Sequence, residues 1–89
     1  MGSDADDTMY TVVVRVPYGD WCARQHRVSG RLSRLVAMPV TDRGDRAFDV
    51  RFSQSAQSAV AAEQRGRRRM EEFEITVLDS HVEPSEVSA

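Results

Sequence analysis

Four arginines, Arg65, Arg67, Arg68 and Arg69, stand within five residues around Gly66. A guanidinium offers a two-pronged fork to phosphate or carboxylate, so this run is the candidate anion- or nucleic-acid-binding feature of the chain. Glu71, Glu72 and Glu74 follow at once and offset it. The competing reading is a solvated loop, and nucleic-acid binding there is expected to be weak, independent of base sequence and lost in salt. Cys22 and His26, four residues apart, fall on one helix face and offer half a metal site or a thiolate–imidazolium pair. His81 is the one remaining soft ligand and stands far off in sequence. No metal site is expected, and an isolated cysteine beside a solvated histidine is the simpler reading. Tyr18 and Trp21 flank a turn and are candidate anchors for a protein partner, since Trp, Tyr and Arg dominate interface hot spots; the alternative for Trp21 is a cap on the core. Arg43-Gly44-Asp45 reads as a hairpin turn and not as an adhesion signal.

Other chemistries are absent by composition. The chain has no Lys and no Asn, and every one of its twelve basic residues is Arg, which fits a bacterial, GC-rich genome. Schiff-base and P-loop lysines are therefore unavailable. Asp20 and the serines make no ordered triad with His26. No catalytic residue and no cofactor are expected. A single cysteine excludes an internal disulfide. With no apolar run of membrane length and no signal-like N-terminal stretch, a cytoplasmic protein away from membranes is expected.

The elements that position these residues must come from a small core. Val, Ile, Leu and Phe make up 19 of 89 residues, about 21%, close to the level of about 20% below which disorder is the default. The formal net charge of −2 conceals a segregation. Residues 1–8 and 79–89 carry three acids each and no base, whereas the middle holds all twelve arginines against eight acids. Residues 1–8 and 79–89 are read as flexible acidic tails around a single domain over 9–78.

Within that domain, 10–16 is a β-branched strand with Tyr10, Val12, Val14 and Val16 on the core face. Asp20 caps a helix over 21–35, although Gly30 weakens it and a shorter helix ending near Val28-Ser29-Gly30 is the alternative. Residues 36–41 form an edge strand, since Pro39 cannot donate to a ladder; Val36, Met38 and Val40 share one of its faces. After the turn at 42–45, strand 46–52 points Phe48, Val50 and Phe52 inward. A second helix starts from Ser53 or Ser55, buries Ala56, Ala59 and Val60, and ends at Gly66 as a C′ glycine. The last strand is 69–78, with Phe73, Ile75 and Val77 inward.

The order β-α-β-β-α-β predicts a ferredoxin-like two-layer α+β sandwich: a four-stranded antiparallel sheet in order 4-1-3-2 with two helices on one face. RRM-type RNA binding uses the same frame but needs aromatics on the open face of the two central strands. That face is expected to carry Thr11, Val13, Arg15, Ala47, Asp49 and Arg51, with Arg15 pairing Glu72 or Glu74 in a self-neutralised ladder. A metallochaperone would need a second cysteine in the first loop, which reads Pro17 to Cys22 without one. The expected function is a small non-catalytic interaction or regulatory module acting through a protein–protein interface, as a homodimer or with another protein. Nucleic-acid or anion binding at Arg65–Arg69 and a small-ligand regulatory domain are the alternatives.

Overall fold

The computed structural model describes residues 7–83. Six elements follow one another: β1 (Thr8–Pro17), α1 (Tyr18–Val28), β2 (Ser33–Asp42), β3 (Asp45–Ala56), α2 (Ala59–Glu72) and β4 (Asp79–Glu83). The four strands form one antiparallel sheet in the order β2-β3-β1-β4, the expected 4-1-3-2 order read from the other edge. Strand β1 is central because its valines serve both neighbours. Val12, Val14 and Val16 are fully buried and meet Val50 and Phe52 of β3. Trp21 and Val28 of α1 and Ala62 and Met70 of α2 join the same cluster, so both helices cover the same face of the sheet.

Helix α1 is the shorter alternative and not 21–35. Gly30 adopts φ 82°, a left-handed conformation that ends the helix, while Arg31 N–H bonds back to Val28 O. The chain then reverses, Leu32 is buried as the turn closes, and Leu35 packs from β2. Asp20 is not the cap. It lies inside the first turn, and its carboxylate accepts the Thr76 backbone N–H at 3.0 Å. In the hairpin that follows, Arg43 and Gly44 both take positive φ, 53° and 86°, as the tight turn between Asp42 and Asp45 requires. Pro39 lies on an edge strand, as expected.

The second half departs further from the sequence reading. Strand β3 continues to Ala56, so Ser53 and Ser55 are strand residues and Ser58 caps α2 by accepting from Ala61 N–H at 3.1 Å. Ala59 and Val60 face outward; the buried stripe is Ala62, Gly66 and Met70, four residues apart. Gly66 is therefore interior and not a C′ glycine. A Cβ there would lie 2.8 Å from Val12 Cγ1 and 3.1 Å from Phe52 Cζ. The helix runs on to Glu72 and closes with Ile75 N–H donating to Met70 O and Glu74 N–H to Glu71 O, a Schellman closure with Glu74 at C′, φ 66°. Residues 73–78 are thus a connection and not a strand, although Ile75 is buried and Phe73 and Val77 pack against the core as expected.

The last strand is β4, Asp79–Glu83, paired with β1 from Thr11↔Glu83 to Arg15↔Asp79. This overturns the reading of 79–83 as part of a flexible tail, and Thr8 likewise belongs to β1. The rest of the two expected tails, 1–6 and 84–89, lies outside the described residues.

Two outcomes test this packing. Gly66→Ala gains about 1 kcal/mol of helix propensity but overpacks the core at a cost of about 1–3 kcal/mol. Urea unfolding should show net destabilisation of up to about 2 kcal/mol, changing to neutral or stabilising in a Val12→Ala background. Asp20 is held below the usual carboxylate range, chiefly by the Thr76 N–H bond. Its contribution is therefore present above the unfolded value of about 3.9 and is lost as pH falls through the lower folded value. Acid titration of Asp20→Asn, followed by circular dichroism, should show a shallower loss of stability below about pH 4 than the parent chain.

Candidate functional site

The four arginines of the 65–69 run lie on α2, not in a loop. Successive positions on a helix point about 100° apart, so the run does not form one patch. Arg65 donates to Ser55 O at 2.9 Å. Arg67 donates to Ser80 Oγ at 2.7 Å, and that hydroxyl donates to Glu63 Oε2 at 2.6 Å. Arg69 bridges to Gln54 Oε1 and Arg31 O, both at 3.0 Å. Arg68 is exposed and makes no such bond among the described residues. Three of the four therefore fasten α2 to β3, to β4 and to the turn after α1.

The two aromatic candidates separate as well. Trp21 is buried in the core, with its ring 6.2 Å from that of Phe48. Tyr18 stacks on Phe48 at 5.5 Å and stays partly exposed, with the Arg46 guanidinium 4.8 Å from its ring centre. Tyr18 and Arg46 share a cavity of about 240 Å³ with Pro39, Val40, Thr41 and Ala47. Cys22 and His26 are both exposed on α1, and no cluster of three or more His, Cys, Asp or Glu side chains suited to a metal occurs among the described residues.

The sheet face opposite the helices is the more organised surface. Register places Val36, Arg51, Val13 and His81 in one row across the four strands, and Met38, Asp49, Arg15 and Asp79 in the next. The open-face residues of β1 and β3 are those expected, with no aromatic among them. The Arg15 fork grips Asp49, Nε to Oδ1 at 2.8 Å and Nη2 to Oδ2 at 3.1 Å, and reaches Asp42 Oδ1 at 3.3 Å. These carboxylates, Asp49 first, hold Arg15 well above its usual basicity. Arg51 Nη2 lies 2.6 Å from Glu83 Oε1. The ladder is thus present with different acids. Glu72 belongs to α2 and Glu74 to the connection after it, where Glu74 pairs with Arg27 of α1 at 2.9 Å.

An unexpected property lies on β2. Leu35 and Ala37 pack on the core, so Val36 and Met38 face outward on the open side. They are 52% and 48% exposed, beside Val40, Ala47 and Val13. The signal is visible in the sequence, where Leu35 to Val40 has no polar residue at either alternation. Such a run marks a strand with apolar surroundings on both faces.

The strut role of the arginines predicts unequal effects. Arg69→Ala removes two hydrogen bonds and should lower stability by about 1–2 kcal/mol in chemical unfolding, whereas Arg68→Ala should stay within about 0.5 kcal/mol. The chain matches no protein-family model, no curated protein and no solved structure.

Proposed function

We propose that this chain is a small non-catalytic interaction module, built on a ferredoxin-like frame, that acts through a protein–protein interface on the open face of its sheet. The observation that carries this reading is the outward Val36 and Met38 pair on a strand that is apolar on both sides. Covering it removes apolar surface from water, a gain of about 25 cal/mol per Å². The neighbouring charges favour the same use. Arg15 is matched by Asp49 and Asp42, and Arg51 by Glu83, so the central charges of the face are paired, while Arg34 and Asp79 make no ion pair among the described residues. Burying matched and hydrogen-bonded charges costs far less than burying lone ones.

A second copy of the chain is the simplest partner, giving a homodimer; a different protein with an apolar patch is the other form of the same reading. Pairing through the outer edge of β2 is disfavoured by Pro39, which has no N–H to donate, and the other edge strand, β4, offers only five residues. The βαββαβ order and the helix-covered face support the ferredoxin-like assignment. A free exposed thiol at Cys22 fits a reducing, cytoplasmic setting. No helix among the described residues is long and apolar enough to cross a membrane.

Light scattering at micromolar concentration tests the simplest form. The parent chain should read twice its 10.0 kDa mass, and Val36→Glu/Met38→Glu should read the single mass with its fold retained. A strict monomer across the concentration range rejects self-association and leaves only the hetero-partner.

A further inference from the structure

Arg34 holds a left-handed backbone conformation, φ 56°. The other two non-glycine residues with positive φ have local reasons. Arg43 sits in the tight hairpin turn, and Glu74 closes α2 and pairs with Arg27. Arg34 lies instead in a β-bulge of β2, where Ser33 faces Ser53 and Val36 faces Arg51, so that one extra residue stands opposite Phe52. Bulges re-aim side chains, and the left-handed region strains any residue that carries a Cβ. The bulge accounts for the backbone turn, but no polar side-chain contact among the described residues holds Arg34 in it. Among the described residues the Arg34 side chain makes no hydrogen bond and no ion pair.

The bulge brings Arg34 to a cavity of about 290 Å³ that is also lined by Thr11, Val36, Arg51, Phe52 and Ser53. Two arginines and two hydroxyl-bearing residues therefore line one opening. Neither hydroxyl has a hydrogen-bond partner among the described residues. Among the described residues the one acid paired with these groups is Glu83, whose Oε1 lies 2.6 Å from Arg51 Nη2.

We propose that the β2 bulge cavity is a binding site for a phosphoryl group of the phosphate-monoester class, gripped by Arg34 and Arg51 with the hydroxyls of Thr11 and Ser53 as further donors. A phosphate monoester presents three strong acceptor oxygens and close to two negative charges. That suits a lining of two arginines and two hydroxyl residues better than the two oxygens of a carboxylate do. Residues held in sparsely populated backbone conformations cluster at ligand clamps, which is the role given to Arg34. Glu83 is the resident competitor for Arg51 and weakens the site by its charge. The site opens on the same sheet face as the proposed interface but does not depend on that face binding a protein.

Titrating the ¹⁵N-labelled full chain with inorganic phosphate, against chloride at matched ionic strength, tests the site by amide shifts. Saturable shifts are expected at Arg34, Val36, Arg51 and Ser53. A nucleoside 5′-monophosphate should reproduce them, and an oligonucleotide without terminal phosphates should not. Arg34→Gly should weaken phosphate binding about ten-fold or more, the loss of a charged hydrogen-bonded pair. It should also raise the thermal midpoint, because glycine adopts positive φ freely. Arg34→Asn, which also tolerates that region, gives a second reading should the glycine variant fold poorly. Glu83→Gln should tighten binding. Absence of saturable shifts at these amides, or undiminished affinity in both Arg34 variants, overturns the site. A midpoint lowered by both variants overturns the assignment of Arg34 as a strained clamp. Equal shifts from the oligonucleotide overturn the monoester class.

Discussion

The separation between α2 and the sheet is set where Gly66 lies against Val12 and Phe52. A helix bearing any side chain at that point would have to stand off or tilt. Because it does neither, Ala62 and Met70, one turn to either side, reach full burial on the same stripe. The close approach also brings the polar flank of α2 within reach of the strands. Arg65, Arg67 and Arg69 find acceptors on β3, on β4 and in the turn after α1 because the helix lies low enough for their forks to arrive. One missing Cβ thus governs both the packing of the core and the placement of three charges.

Much of this was legible in the sequence, and the misreadings share a physical source. The phase of β1 and β3, the edge position of Pro39 and the strand order follow from period-two alternation and from the inability of proline to donate, signals that tertiary packing reinforces. The ends of elements were harder. Gly66 reads as a helix terminator because glycine favours C′ positions, yet a glycine needed for close approach looks the same in one dimension. The true C′ residue, Glu74, carries no such signature. With a helix end placed at Gly66, Phe73, Ile75 and Val77 read as a strand. Their inward direction was right because a connection that crosses the core end must also bury its apolar side chains.

The candidate sites show the same division. The run at Arg65–Arg69 looks like a patch when written as letters, and helical geometry disperses it. Trp21 was ambiguous between core and surface, and only packing against Phe48 decides for the core. The open-face ladder was legible as a principle of charge pairing, but its acids depended on where the last strand lay, so Asp42, Asp49 and Glu83 replace the glutamates after α2. Arg34 had no sequence signature, because a bulge in β2 is a property of how that strand must accommodate β3 and cannot be read from β2 alone.

Strand β1 pairs with β3 over ten residues and with β4 over five. That inequality makes the molecule's local stability uneven. Short ladders at a sheet edge open at lower free energy than long central ones, so β4 is placed to detach before the β1–β3 ladder does. Its amides should exchange with solvent faster than those shared by β1 and β3. What ties β4 down beyond its own ladder is a pair of side-chain anchors at opposite faces, Arg67 with Ser80 and Glu63 on the helix side, and Arg51 with Glu83 on the open side. Each opening of β4 breaks both at once and uncovers the flank of Val12 and Val14, so an element that contributes little area to the core acts as its closing clasp.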